Sequence, residues 1–328
     1  MSFLFKRQTS SSIINRPLLE ESELCDLRLL AERIDCSASS PIALESRQSG
    51  HLASRALGSG VDYAESRVYQ PGDDTRSINW RLSARSHETF VKTFYIESRP
   101  NINIFLDRRR SMVFGTRQRL KITQAVRVAS LLAYTAVYHQ LGFQAWILDE
   151  KGIQHFDNTE AFLFQANKPC VVCTTGLSLG ISLVLKDVSV LLAEGSLQAK
   201  GSLQAKGSLQ AKGSLVYLLS DFSDLEKTDQ AELARLNEQC FVQAIHFLDR
   251  AEFELPAMGK LRLQAMQEDK NYQLDTYKQK DREAFTQLSR QYFEERKSLI
   301  KDLGIVYKQL ETDVENLQEY IYLPLGRA

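Results

Sequence analysis

From residue 101 onward, short apolar runs alternate with helix-period segments, and that alternation constrains the fold more than any other feature of the chain. INIFLD at 102–107 and LVYLLSD at 215–221 read as apolar strands, and each ends in an aspartate. Ile122, Val126, Ala129, Ala133 and Val137 recur at helical spacing, and Gly142 stands where a helix C-cap belongs. A strand at 144–148 with a hairpin partner at 153–156 follows, then a helix at 177–192. Beyond the second apolar run the pattern predicts a helix at 228–239, a strand at 241–248 and a polar hairpin at 260–274. A long helix at 282–303 closed by Gly304 and a strand at 305–310 come next. Thr312-Asp313-Val314-Glu315 has capping-box spacing and predicts a last helix. Such alternation means an α/β fold, a mostly parallel sheet with helices on both faces. Functional loops of these sheets lie at the C-terminal ends of strands, beside the point where strand order reverses. Asp107 and Asp221 both sit at such ends.

The first 95 residues read as a smaller region with β-strands, and 96–326 as the α/β domain. Helical spacing at 24–34 ends in a Ser-rich stretch at 37–40. Pro71-Gly72 has type II turn chemistry, and the aromatic and β-branched run at 90–96 reads as a strand. GSLQAK occurs three times in succession from Gly195, then runs truncated into the strand. With one Leu per copy it has little to bury, so 195–214 reads as an expanded surface loop.

With 41 basic and 41 acidic side chains the formal charge is +0. Non-specific nucleic-acid binding draws on a surplus of Lys and Arg, so no nucleic-acid partner is expected. The N-terminus has no apolar core of signal-peptide length, and the most apolar helical stretch, 126–137, is broken by Arg127, Ser130 and Thr135. A cytoplasmic chain without membrane insertion is the expectation. The five cysteines are scattered, as reduced thiols are, and Cys170 and Cys173 lack a second pair at zinc-finger spacing. None of the five histidines pairs at HExxH spacing, and His246 reads as a core residue of a buried strand.

Two blocks carry chemistry. One is G-x-G-x-D-Y-x-E-x-R-x-Y-x-P-G-D-D-x-R-x-I-N-W-x-x-S-A-R, from Gly58 to Arg85. The other is F-L-D-R-R-R-S-M-x-F-G-T, from Phe105 to Thr116. Together, at this separation, they closely resemble the bacterial domain of unknown function 58 family, over roughly residues 50–310. Members of that family are von Willebrand factor A-like, and their genes often lie beside those of MoxR-type AAA+ ATPases. The resemblance implies a binding module with a metal-ion-dependent adhesion site, in which Mg²⁺ takes a few protein oxygens and keeps one position open for a partner's carboxylate. Residue by residue, Asp107, Ser111 and Asp221 match the ligand pattern, with Thr175 (or Thr174) for the threonine. The middle serine is replaced by Arg109, which has no lone pair to give a metal. An Arg there either leaves a degenerate Mg²⁺ site or replaces it, pairing with Asp221 or with a partner carboxylate. A third reading has Asp107 merely capping its loop or pairing with an Arg.

In the first block, Glu65, Arg67, Asp73, Asp74, Arg76 and Arg85 read as a salt-bridge network around a tight turn with Trp80 as core. Asp73, Asp74, Arg76, Trp80, Arg85 and Arg109 are the candidates for a partner-docking surface. The function implied is a non-enzymatic adaptor or co-chaperone acting with a MoxR-type AAA+ ATPase in assembly or metal-centre insertion of a client. An alternative is a metal-dependent phosphohydrolase using Asp107, against which Arg109 stands where a second Asp is needed. Nucleotide binding lacks a G-x-x-x-x-G-K-[ST] loop.

Deleting 201–212 removes two repeat copies and keeps the flanking Gly-Ser-Leu register. Loop-closure entropy changes slowly with length, so the stability measured by chemical denaturation shifts by less than about 1 kcal/mol. A larger loss means that the repeat is packed.

Overall fold

The structure, a computed structural model, describes residues 3–5, 17–34, 56–58, 62–70, 75–86, 88–96, 101–170, 214–265 and 271–323. The helix expected at 177–192, the Pro71-Gly72 turn, Cys36, Cys173 and nearly all of the repeat lie outside them. In chain order the elements begin with β1 (Phe3–Phe5), α1 (Glu21–Arg33), β2 (Ala56–Gly58), β3 (Asp62–Val68), α2 (Trp80–Ser83) and β4 (Phe90–Ile96). Then come β5 (Asn101–Asp107), α3 (Lys121–Tyr138), β6 (Gly142–Asp149), β7 (Gly152–Phe156), α4 (Thr159–Ala166) and β8 (Leu215–Ser220). The last are α5 (Gln230–Gln239), β9 (Phe241–Leu248), β10 (Lys260–Ala265), β11 (Asn271–Asp275), α6 (Gln279–Lys301) and β12 (Val306–Glu311).

The main sheet has six strands in the order β12-β9-β8-β5-β6-β7. Every neighbouring pair is parallel except the β6–β7 hairpin. The order reverses at β5: β6 and β7 build outward on one side, and β8, β9 and β12 on the other. Because side chains alternate along a strand, each strand serves two cores. Ile102, Ile104 and Leu106 of β5 and Leu215, Tyr217 and Leu219 of β8 pack with α1, α3 and α4. Phe105, Val216 and Leu218 face the other way, onto Leu233 and Leu236 of α5 and Ile300 of α6. The result is the mostly parallel sheet with helices on both faces that the sequence predicts.

α3 is buried around nearly its whole circumference, which explains its run of apolar side chains on every face. The sheet covers one side and α1 the other, burying Leu27 and Ala31. Two of the polar residues that interrupt it have partners, while the buried Ser130 hydroxyl has none among the described residues. Arg127 reaches Glu23 of α1 at 2.7 Å and Glu315 at 3.1 Å, and the Thr135 hydroxyl donates to the Leu131 carbonyl at 2.7 Å. No helix among the described residues is long and apolar enough to cross a membrane.

Two expectations are corrected. Gly142 does not cap α3; it opens β6, where a Cβ would come within 1.6 Å of Asn101 Oδ1 on the neighbouring strand. Gln140 takes the positive φ, at 54°, that turns the chain out of the helix. Nor do residues 312–315 cap a helix. The Thr312 hydroxyl donates to Asp249 at 3.1 Å and Glu315 pairs with Arg119 and Arg127, so both side chains a capping box needs are committed elsewhere. Only a short 3₁₀ turn, Gln318–Tyr320, follows. β1, β2, β3, α2 and α4 carried no reading of their own in the sequence; α4 is capped by the Asn158 side chain, and β1 adds a third strand to the hairpin of β10 and β11. In the N-terminal region β2, β4 and β3 form a separate antiparallel sheet.

Candidate functional site

The loops that leave β5, β8 and β9 meet at the C-terminal edge of the sheet, where the order reverses. Asp107 ends β5 and is buried. Its Oδ1 accepts from the Arg109 backbone N–H and from Arg109 Nε, each at 3.0 Å. Its Oδ2 accepts from Arg109 Nη2 at 2.7 Å and from the Ser220 hydroxyl at 2.7 Å. A carboxylate offers about four lone-pair sites, and Asp107 accepts four hydrogen bonds. The far side of the same guanidinium meets Asp224, in the loop after β8, through Nη1 at 2.5 Å and Nη2 at 2.9 Å. Burial alone would lower the Arg109 pKa; the charges of Asp107 and Asp224 outweigh it, so the group is held protonated. Arg109 therefore zips the loops of two adjacent strands together. The expectation that it reaches Asp221 is corrected: Asp107 and Asp224 saturate its fork first.

Asp221 has a different partner. Lys121, the first residue of α3, is buried with its Nζ 2.9 Å from Asp221 Oδ2 and 2.8 Å from Glu252 Oε1. A cation in the first turn of a helix opposes the macrodipole, so its place is set by these carboxylates rather than by the helix. Burial would raise the Asp221 pKa, but the Lys121 ammonium pulls it well below the usual carboxylate range. Burial likewise works against the Lys121 charge, and Asp221 and Glu252 override it. Glu252 is the weaker partner, since burial lifts its carboxyl more than Lys121 lowers it. Between Asp221 and Asp224, Phe222 adopts φ of 47°, a conformation a bulky residue takes only when its surroundings impose it. Here its ring packs edge-on to His246 with centroids 5.5 Å apart, and its N–H donates to the Ser220 hydroxyl at 3.0 Å.

Asp249, just past β9, makes a third tie. It accepts from the Thr116 hydroxyl at 2.6 Å, the Thr116 N–H at 2.8 Å and the Thr312 hydroxyl at 3.1 Å, joining the loops after β5 and β12. With Glu252 it also forms a capping box. Lys121, Asp224, Asp249 and Glu252 were not singled out in the sequence. The signals present were the Asp249-x-x-Glu252 spacing and a lysine opening an otherwise apolar helix.

Of the four residues matched to a metal pattern, Asp107 and Asp221 stand at adjacent strand ends. Ser111 is buried in the turn after β5, with its hydroxyl lacking a hydrogen-bond partner among the described residues. Thr175 lies outside the described residues, as do Asp73 and Asp74. The oxygens present do not fit Mg²⁺, which needs open lone pairs in octahedral array at about 2.0–2.1 Å. Asp107 has none left, and both aspartates already carry a buried cation. Arg108 turns away from the edge and donates to the carbonyls of Gln165 and Lys168 at the end of α4, at 2.7 and 2.5 Å.

The other candidate surface is in the first block. Trp80 is not core but 70% exposed. α2 is a single turn held by polar contacts rather than by apolar packing. The Asn79 side chain accepts from the Leu82 N–H at 3.3 Å and donates to Ser66 at 2.9 Å, and the Ser83 hydroxyl accepts from the Phe90 N–H at 2.8 Å. That leaves the indole facing solvent on a turn that also carries exposed Arg81 and Leu82, with exposed Arg76 and Arg85 on the flanking residues of the chain.

An α/β domain with this sheet order, an antiparallel edge hairpin and a loop cluster at the switch point is of the von Willebrand factor A-like class. The family model of proteins of unknown function DUF58 matches residues 65–160 and 193–295, more than half of the chain, and the chain belongs to that family. It is similar to an uncharacterized protein of Mycobacterium bovis and to uncharacterized proteins of two strains of Mycobacterium tuberculosis. Each is 32% identical over 77 residues, which is 24% of this chain and 24% of the relative. The chain thus spans about a quarter of the length of the curated relatives it matches. Among solved structures, the conserved hypothetical protein BatB from Bacteroides thetaiotaomicron covers 65% of this chain and 91% of its own. Its identity is 10% and its TM-score 0.36, and the topology of this chain's own strands carries the fold.

His246 yields a test of the buried network. Burial pushes its pKa from the ordinary 6.5 down to about 3, with Nδ1 2.6 Å from the Tyr307 hydroxyl. The folded imidazole stays neutral while the unfolded one takes up a proton below 6.5, so its contribution is intact above pH 6.5 and lost as pH falls toward 3. The slope is about 1.4 kcal/mol per pH unit. Urea denaturation of the wild type and His246→Gln across that window should show the wild type losing stability more steeply by about that amount, since depressed carboxylates such as Asp221 contribute to both proteins. Equal slopes would mean that His246 is protonated in the fold.

Proposed function

We propose that the chain is a non-enzymatic protein-binding adaptor or co-chaperone that docks through the exposed Trp80 surface. The observation that carries this reading is a tryptophan 70% exposed on an element fixed by hydrogen bonds. Leaving an indole in water forgoes the burial of a large apolar side chain. Trp and Arg are also the residue types that dominate interface energetics, and here Arg76, Arg81 and Arg85, all exposed, lie within five residues of Trp80 in sequence. From the family resemblance comes the partner, a MoxR-type AAA+ ATPase, with assembly or metal-centre insertion of a client as the task. The site at the sheet edge supports the non-enzymatic half of the reading. An in-line attack by Asp107 on phosphorus needs a free lone pair, and its four acceptor positions are filled by Arg109 and Ser220.

The test is co-purification of the full chain with a MoxR-type ATPase, with the ATPase rate followed on addition. Trp80→Ala should weaken the complex by about 30-fold or more, as loss of an interface hot spot does. Its own stability should stay within about 0.5 kcal/mol, because the side chain is exposed. Phosphate-ester hydrolysis by the purified chain alone, abolished in Asp107→Asn, would overturn the adaptor reading.

A further inference from the structure

The edge of the sheet gathers four carboxylates, Asp107, Asp221, Asp224 and Glu252, around two side-chain cations. We infer that Arg109 and Lys121 are built-in counter-ions that stand in for a divalent metal, so that this edge assembles without Mg²⁺. The two cations supply the same double positive charge as one Mg²⁺, delivered at two points. Arg109 is planar and forked, and it grips a carboxylate on each side, which a spherical ion of octahedral preference does with separate ligands. Lys121 is a point charge on a long stem, which suits the confined place between Asp221 and Glu252. Both are at most 9% exposed at the side chain, and a dication entering beside them would meet a fixed positive charge with no water to screen it.

Two consequences follow. Recognition in which a partner's carboxylate completes a metal's coordination shell is closed to this edge, because neither cation has an open face. The second concerns Ser111, whose buried hydroxyl is the one oxygen of the described metal pattern left without a partner. Removing the guanidinium would uncover Asp107 and Asp224, with the Ser220 hydroxyl already on Asp107 and Ser111 two residues along the same loop. That set has the carboxylate and hydroxyl chemistry of a Mg²⁺ site.

The experiment uses the full chain alone, with Mg²⁺ as the probe, so its outcome is independent of the adaptor reading. Calorimetric titration of the wild type should give no saturable heat, and its melting temperature should be the same in EDTA and in millimolar Mg²⁺. Arg109→Ser should melt roughly 10 °C lower in EDTA, from two buried carboxylates left uncompensated, and should recover part of the loss in Mg²⁺. If the variant does not fold in EDTA, refolding in Mg²⁺ reads the same exchange. Saturable Mg²⁺ binding by the wild type that disappears in Asp107→Asn overturns the inference. So does an Arg109→Ser variant that keeps the wild-type melting temperature, or one that loses stability and ignores Mg²⁺.

Discussion

The buried pair of Lys121 and Asp221 is the interaction on which the rest of the edge depends. It joins the end of β8 to the start of α3, and through Glu252 it reaches the turn after β9. Taking two charges out of water costs several kcal/mol each, and their attraction repays this only with good geometry and further hydrogen bonds. Both conditions hold. The contacts are 2.8 and 2.9 Å, and the other oxygen of Asp221 accepts from the Ser223 N–H at 3.2 Å. The pair therefore contributes registry more than net stability: α3 can start only where its first side chain finds these two carboxylates.

Around this pair the loops at the switch point are tied to one another rather than left open. Arg109 joins the loops after β5 and β8, and Asp249 joins those after β5, β9 and β12. Such a set of ties makes a rigid edge with its polar groups turned inward, a poor place for a nucleophile and a sound frame for loops. The exposed Trp80 lies elsewhere, on α2 between strands β3 and β4 of the N-terminal antiparallel sheet. The sheet edge and the proposed docking surface are thus separate parts of the chain.

Much of the α/β core was legible in the sequence because it rests on period alone. INIFLD and LVYLLSD fall on adjacent central strands, and each places an aspartate at its end. What was not legible depends on long-range partners. Thr312 and Glu315 have the spacing of a capping box, but Asp249, Arg119 and Arg127 claim their side chains. Gly142 has the look of a C-cap, but the neighbouring strand's Asn101 is what requires a glycine there. Arg109 was read as the replacement of a ligand and an Asp107–Arg pair was among the readings, but Asp224 was not, since it becomes a neighbour only when β5 and β8 pair. Trp80 was placed in the core on residue type, whereas the hydrogen bonds of Asn79 and Ser83 fix its helix with the indole outward. Of the candidate site, the aspartates came from the strand ends, and Lys121 had to be seen in place.

The central claim, that a buried internal cation holds the switch-point loops, is tested most directly by a double-mutant cycle in urea. Lys121→Met and Asp221→Asn are measured singly and together. Removing Lys121 alone strands two carboxylates in the interior, and the expected cost is about 3–5 kcal/mol. The double variant should be less destabilised than the sum of the single ones, with a coupling of at least about 2 kcal/mol. Costs that add to within about 0.5 kcal/mol would contradict the claim, since they would mean that the two groups do not depend on each other.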